Sequence, residues 1–242
     1  MPQVVRGALE CPAMNGIGTL REDSLHASLK AWYSQPGDRF ECEVDGYVID
    51  LVRGDLLVEI QTGNFSAIKP KVRALLESHP LRLVYPIAAQ KWVVRESGDG
   101  AAILSRRKSP KHGTVHDVFG ELVRLPVLMR HPGLSLEVLL THEEVVWRED
   151  GLGSWRRKGV SVVDRRLLEV VESHVFEEPA DFRALIPREL PPVFTVQDLL
   201  DCTRQNRRLA QRMAYSLRVM GVIEEAGKRG RAPLYQQTAV PS

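Results

Sequence analysis

The chain has 242 residues, of which 43% are hydrophobic and 26% are charged, and its formal net charge is +2. This composition is ordinary for a globular protein and excludes a fibrous, disordered or disulfide-framed chain. No stretch approaches the ~20 apolar residues of a membrane span, and Met1–Glu10 lacks the apolar core of a signal peptide, so we expect no membrane contact. The three cysteines are widely spaced without a metal-ligand pattern, which predicts a reducing, cytoplasmic location.

The chain begins with signals for a helix and then for three short strands. Thr19 and Glu22 have the spacing of a capping box, which predicts a helix from there to about Tyr33. Asp45-Gly46 is a tight hairpin signal, and Arg53-Gly-Asp55 is a second turn signal. The β-rich runs around these turns are Arg39–Val44, Tyr47–Val52 and Leu56–Gln61. Together they predict an antiparallel meander.

Helix and strand signals then alternate up to about residue 190. Ser66 is a candidate cap for a helix that carries Pro70 in its first turn. Further strands are predicted at Leu81–Tyr85, Lys91–Arg95 and Leu136–Trp147, and further helices at Thr114–Leu125 and Val160–Val171. The proline-rich stretch Ile186–Pro192 indicates a domain boundary. We therefore expect a domain over residues 1–150, a connector containing a helix over 151–190, and a second domain over 191–242.

The last 50 or so residues contain two helix signals and a basic hairpin. Thr195 caps the first helix, with Asp198 as its capping-box partner. The second helix is predicted over Gln205–Met220, and Gly221 ends it. Two short strands then flank the turn Gly227–Arg231. From Phe194 onward this segment holds eight arginines and lysines against four acidic residues, which favours an anionic partner.

The order of helix, helix and basic hairpin resembles the winged-helix family of helix-turn-helix domains. The resemblance rests on Phe194-Thr195, the spacing Tyr215-x-Leu217, Gly221-x-Ile223 and the tip Gly227–Gly230. It implies that the second helix enters a DNA groove while the hairpin contacts phosphate. The implied nucleic-acid-binding residues are Arg204, Asn206, Arg207, Arg208, Arg212, Lys228, Arg229 and Arg231. The alternative is a winged helix that binds protein or packs on its own N-terminal domain.

Two carboxylates in the predicted meander carry the main chemical signal. Alternation places Leu56, Val58 and Ile60 on one face of their strand, so Glu59 lies on the other. Antiparallel pairing through the second turn brings Asp50 of the preceding strand and Glu59 within reach of one ion. Paired carboxylates in a buried sheet are costly unless a metal or a base compensates them. The structural alternative is that both are exposed sheet residues.

This arrangement of helix, meander, helix and strand resembles the PD-(D/E)XK nuclease superfamily over about residues 19–86. The resemblance implies a restriction-endonuclease-like core, which is an α/β fold with a mixed sheet flanked by helices. It also implies that Asp50, Glu59 and the Ile60 carbonyl hold Mg²⁺ or Mn²⁺. Glu22 matches the acidic residue of the first helix, where it could face the sheet or act only in the capping box.

Gln61 falls at the position where the superfamily usually has a lysine. A lysine there helps to position or deprotonate the attacking water, whereas a glutamine amide only orients it. Some members supply a lysine from the following helix, and Lys69 is the first candidate, with Lys71 a poorer one. The alternative is that Lys69 is an ordinary surface lysine of the helix.

The resemblances together imply a metal-dependent endonuclease or exonuclease that is tethered to a DNA-binding domain and forms a possible homodimer. The substrate is a DNA or RNA phosphodiester. One alternative is a non-catalytic DNA-binding or regulatory protein with a degenerate nuclease fold. The other is a protein-interaction module that uses the basic hairpin, for which nucleic-acid binding would be absent.

Overall fold

A seven-stranded mixed sheet dominates the computed structural model, which describes residues 24–153 and 159–239. Its strands are β1 (Arg39–Val44), β2 (Tyr47–Arg53), β3 (Leu56–Ile60), β4 (Leu81–Glu96), β5 (Ile103–Lys108), β6 (Leu134–Arg148) and β7 (Ser161–Phe176). They lie in the order β1-β2-β3-β4-β6-β7, and β5 pairs with the second half of β4. The prediction of an α/β fold with a mixed sheet flanked by helices is confirmed.

The antiparallel meander of β1, β2 and β3 agrees closely with the prediction. Asp45 and Gly46 both have positive φ angles, 50° and 77°, as a two-residue hairpin turn requires. The chain then crosses over through a helix, so that β4 runs parallel to β3 and to β6. This crossover leaves the carboxyl end of β3 beside the middle of the sheet.

One helix packs on each face of the meander. α1 (Ser24–Tyr33) buries Leu25 and Leu29 in a small cluster on one face. α2 (Phe65–Leu75) buries Ile68 and Val72 in the main core on the other face. Burying a side chain of this size contributes about 1.5–3 kcal/mol. The two helices therefore fix both faces of the sheet around β2 and β3.

The predicted start of α2 was wrong. The helix begins at Phe65 after Asn64, whose φ is 57°, and Ser66 is not its cap. The Phe65 N–H instead donates to Glu121 Oε2 at 2.9 Å, so a carboxylate distant in sequence satisfies the first helical N–H. Pro70 consequently lies in the second turn rather than the first.

β4 is one continuous strand where the sequence predicted two. Its interior contains Pro86, which lacks the N–H that a central strand needs. The Gln61 N–H donates to the Val84 carbonyl at 2.9 Å, and β3 ends one residue earlier. The nitrogen of Pro86 therefore faces the side on which β3 has ended, and no ladder bond is lost.

The predicted helix at Val160–Val171 is strand β7, so the connector over 151–190 contributes to the sheet instead of containing a helix. β7 pairs antiparallel with β6 along its length, and bulges shift its register at three places. Bulges break the two-residue alternation of a strand. The apolar residues of β7 are therefore three and four residues apart in places, which is the spacing of a helix. The predicted helix at Thr114–Leu125 is also shorter, a 3-10 turn at Val115–Val118 followed by α3 (Phe119–Leu122).

The C-terminal segment consists of two helices and a small sheet. It follows a 3-10 helix at Pro179–Leu185 and contains β8 (Val193–Phe194), α4 (Val196–Thr203), α5 (Arg207–Met220), β9 (Ile223–Arg229) and β10 (Ala232–Gln237). The small sheet has the order β8-β10-β9. Thr195 and Asp198 form the predicted capping box, and Gly221 ends α5 with a φ of 81°.

The large sheet and the C-terminal segment share one hydrophobic core. Phe182 is fully buried and stacks on Phe176 of β7, with ring centroids 4.3 Å apart. Met213 and Leu217 of α5 belong to the same buried cluster. The core is therefore continuous across residue 190. No helix in the described ranges has the length and apolar character needed to cross a membrane.

Candidate functional site

β2 and β3 separate at the carboxyl end of β3, and this gap is called the fork below. Their last paired residues are Leu51 and Val58. The Gln61 N–H bonds to β4, and successive backbone groups of a strand point to opposite sides. The N–H and carbonyl of Ile60 therefore face β2 and the fork. The Ile60 N–H donates to Asp50 Oδ2 at 2.8 Å, so a carboxylate replaces the missing ladder partner.

Asp50 is held at the fork from the α1 side as well. His26 Nε2 of α1 forms a hydrogen bond with Asp50 Oδ2 at 3.2 Å. Opposite Asp50, the β1 residue Glu41 has a φ of 49° and bonds to Lys30 of α1 at 2.9 Å. His26 was missed by sequence reasoning, although it lies four residues before Lys30 and shares its helix face.

The environment of Asp50 favours its ionised form. Burial raises the pKa of this carboxyl, but the hydrogen bond and charge of His26, the Ile60 N–H and the charge of Lys30 outweigh burial and hold the pKa below its ordinary value. Asp50 is therefore a permanent negative charge at neutral pH.

Glu59 lies on β3 beside the fork and is 8% exposed. Its Oε1 accepts from Lys71 Nζ at 2.5 Å, and the same ammonium donates to the Val48 carbonyl at 2.6 Å. Its Oε2 is buried and has no hydrogen-bond partner among the described residues. A buried carboxylate oxygen without a partner is costly, so it is an available ligand atom.

The pKa of Glu59 is raised to about 7. Burial is the main cause, and the negative charge of Asp50 adds to it. The charge and hydrogen bond of Lys71 and the nearby backbone N–H of Asp50 oppose the shift. One permanently ionised carboxylate and one that titrates near neutrality thus lie together at the fork. A divalent cation would favour the ionised form of both.

The raised pKa of Glu59 predicts a specific pH dependence of stability. Between the ordinary value of 4.5 and about 7 the folded chain binds more protons than the unfolded chain, so Glu59 reduces stability as the pH rises. Glu59→Gln cannot ionise and should gain thermal stability relative to the wild type from about pH 5 to about pH 8. Thermal unfolding across this range tests it, and a difference independent of pH would contradict it.

The structure places the remaining predicted site residues differently. Lys69 is exposed on the outer side of α2 beside Arg73, and is not at the fork. Lys69 and Lys71 are about 200° apart around the helix, and Lys71 lies on the side of the buried Ile68. The Gln61 side chain donates to the carbonyl of Gly63 in its own loop. Glu22, together with Thr19, lies outside the described residues.

The oxygen atoms at the fork are of the chemical type that binds a hard divalent cation. Carboxylate and carbonyl oxygens are the ligands that Mg²⁺ and Mn²⁺ prefer. Glu59 Oε2, which accepts no hydrogen bond from the described residues, is such an oxygen. Within the described part of the chain no group of three or more His, Cys, Asp or Glu side chains could hold a metal ion. The protein would therefore supply two carboxylates and the Ile60 carbonyl from this part.

Several of the residues predicted to bind nucleic acid have structural contacts. Arg212 Nη1 donates to the Gly120 carbonyl at 2.6 Å and ties α5 to α3. Its role in binding nucleic acid stays a prediction. Asn206 is the cap of α5, and its side chain accepts from the Leu209 N–H. Arg204 ends α4 with a φ of 54°.

The exposed side of α5 still carries positive charge. Arg207 and Arg208 are exposed near its start, and Arg207 bonds to Gln197 at 3.2 Å. On the hairpin, Lys228, Arg229 and Arg231 are also exposed, with Arg229 lying 3.7 Å from Asp198. Sequence reasoning missed three exposed α5 residues that the helical spacing of four and three could have indicated: Gln211, Tyr215 and Arg218.

Residues 23–177 match the model of a family described as a domain of unknown function, DUF8091. The chain belongs to this family. It is also 35% identical over 223 residues to a protein of Treponema pallidum (strain Nichols) named "Uncharacterized protein". The aligned region covers 91% of this chain and 87% of the relative. No solved structure matches the chain. The family match ends one residue after β7, whereas the similarity to the Treponema protein extends beyond it.

Proposed function

We propose that the protein is a metal-dependent nuclease in which a restriction-endonuclease-like core is joined to a winged-helix domain that binds DNA. One observation carries the proposal. Asp50 and Glu59 lie beside the fork, where the charge of Asp50 raises the pKa of Glu59. Glu59 also has one buried oxygen without a hydrogen bond from any residue that the structure describes. Such an arrangement is costly for folding alone and is typical of a site for a cation.

The order of elements supports the nuclease core. α1, the antiparallel strands β1 to β3, the crossover helix α2 and the parallel strand β4 follow one another as in the superfamily that the sequence resembles. The carboxylates lie on the second and third strands, as that resemblance implies. The proposed ligands are those that the resemblance implies, namely Asp50, Glu59 and the Ile60 carbonyl.

In the proposed nuclease, each residue at the fork has a separate role. Asp50, Glu59 and the Ile60 carbonyl would hold Mg²⁺ or Mn²⁺, which when bound supplies an activated water and stabilises charge on the phosphodiester. His26 orients Asp50 and keeps it ionised. Lys71 balances the charge of Glu59 and supplies the ammonium for which Gln61 and Lys69 are wrongly placed.

The role of Lys71 is directly testable. Full-length protein is incubated with labelled single- and double-stranded DNA and RNA in Mn²⁺, in Mg²⁺ or in EDTA. We expect cleavage that requires the metal, and Lys71→Ala should lower its rate by about 100-fold or more. Lys69→Ala, two residues away on the exposed side of the same helix, is the matched control and should cleave near the wild-type rate. Cleavage in EDTA, or a loss confined to the Lys69 variant, would contradict the assignment.

The non-catalytic alternative is favoured by one observation. The Gln61 amide, at the position where the superfamily usually has its lysine, bonds to its own loop. A protein that binds DNA but leaves every substrate intact in both metals would be a regulatory or DNA-binding protein with a degenerate nuclease fold. A protein that binds no nucleic acid would be a protein-interaction module.

The winged-helix assignment is supported by the order of β8, α4, α5, β9 and β10 and by the cations on its exposed side. Arg204, Arg207 and Arg208 lie at the α4–α5 turn, and Lys228 and Arg231 lie near the tip of the hairpin. DNA contact by these residues, the homodimer and the cytoplasmic location stay predictions.

A further inference from the structure

A solvent-open cavity of about 680 Å³ lies between the large sheet and the turn that joins α4 to α5. Its floor is the segment of β4 around Ile87, and Thr62 at the end of β3 lines its edge. The lining residues that matter for its chemistry are Lys91, Lys111, His112, Arg165, Gln205 and Asn206. They come from four separate parts of the chain, which the fold brings together.

The cavity is cationic. Neither Lys91 nor Lys111 has a carboxylate within ion-pair distance among the residues that the structure describes, in contrast to Lys30 and Lys71. Asp117 is an acidic lining residue, and its Oδ2 accepts from the Thr114 N–H at 2.9 Å. The two lysines therefore outweigh the one carboxylate of the lining. Two uncompensated ammonium groups facing one cavity attract an anion.

A buried carboxylate orients a third cation at the wall. Glu143 is fully buried, and its Oε2 accepts from Arg165 Nη2 at 2.9 Å. Its Oε1 accepts from the Thr141 hydroxyl at 2.7 Å. A buried ion pair is expensive to desolvate unless its geometry is fully satisfied. Here it holds Arg165 among the residues that line the cavity, and a guanidinium is a group suited to phosphate.

The walls are held in place by contacts between distant segments. The Gly113 N–H donates to the Ala88 carbonyl at 3.1 Å, and a Cβ at this glycine would lie 2.5 Å from that oxygen. Gln205 Nε2 donates to Thr114 Oγ1 at 3.1 Å and joins the start of α5 to the same loop. A site assembled in advance loses less entropy when a ligand binds.

We propose that this cavity binds a phosphate-bearing ligand, which is either a free nucleotide or the backbone phosphate of a nucleic-acid strand. The second source rests on the proposed function, because Thr62 lies just beyond the fork and Asn206 lies at the start of α5. A strand that crosses the cavity would join the candidate site to the C-terminal helices. The first source requires only the cavity.

The test is binding by the double variant Lys91→Ala/Lys111→Ala of the full chain. The probes are a fluorescein-labelled single-stranded DNA oligonucleotide, followed by anisotropy, and adenosine monophosphate, followed by calorimetry. We expect affinity to fall at least about tenfold and the salt dependence of oligonucleotide binding to decrease by about one to two in log–log slope. The matched control is Lys69→Ala/Arg73→Ala, which removes two exposed cations from the outer face of α2.

The outcomes distinguish a nucleotide from a nucleic-acid strand as the ligand, and they test the cavity separately from the nuclease. Weaker binding of both probes assigns the cavity to a nucleotide, and weaker binding of the oligonucleotide alone assigns it to a strand. Unchanged binding of both probes by a double variant with wild-type thermal stability overturns the proposal. Because Asp50→Asn leaves the cavity intact, lost cleavage with unchanged binding in that variant supports the nuclease site, and unchanged cleavage overturns it. Neither result bears on the cavity.

Discussion

Asp50→Asn is expected to lower metal-dependent phosphodiester cleavage by at least about 100-fold. Asparagine has nearly the same shape as aspartate, and its carbonyl oxygen can still accept the Ile60 N–H that Asp50 accepts at 2.8 Å. It lacks the negative charge, which is the property that a divalent cation requires. The loss should therefore appear in the cleavage rate and in the Mn²⁺ concentration needed for half-maximal rate.

Nucleic-acid binding measured by anisotropy in EDTA is the control for Asp50→Asn. Binding should equal that of the wild type, because the cationic residues of α5 and the hairpin lie elsewhere in the chain. The same variant should also lower the pKa of Glu59, since the charge of Asp50 contributes to raising it. An Asp50→Asn protein that cleaves at the wild-type rate would eliminate the fork as the active site.

The position of the carboxylates followed from sequence because it depends on local signals. The turns at Asp45-Gly46 and after Arg53 set the register of the meander, and register sets which residues meet. β1 was predicted with both of its observed ends. The capping box at Thr195 and the glycine end of α5 are local in the same sense.

The structure brings Lys71 rather than Lys69 to Glu59, and the apolar spacing of α2 could have indicated this. Lys71 lies three residues after the buried Ile68, and Lys69 lies about 200° away from Lys71 around the helix. The contact of Arg212 could not be predicted from sequence, since its carbonyl partner Gly120 lies 92 residues away. β7 was misassigned because bulges gave a strand a helical spacing, and only pairing with β6 distinguishes the two.

Phe182→Ala is expected to lower the free energy of unfolding by about 3–5 kcal/mol. Phe182 is fully buried, stacks on Phe176 at the end of β7 and contacts the ring of Phe119 at 6.2 Å between centroids. It lies between the large sheet and the segment that leads to α5. Truncation removes apolar contacts from both and leaves a cavity that neither can close alone.

Because the large sheet and the C-terminal segment share one core, the Phe182→Ala variant should still unfold in one step. Urea unfolding should remain a single transition when followed both by far-ultraviolet circular dichroism and by the fluorescence of tryptophans in the large sheet, Trp92 and Trp147. Phe182→Leu should lower the free energy of unfolding by less than Phe182→Ala does. Tyr215→Ala, on the exposed side of α5, should change it by at most about 0.5 kcal/mol. If Phe182→Ala instead separates two transitions, the C-terminal helices unfold independently, and the boundary predicted near residue 190 is a true domain boundary despite the buried contacts that cross it.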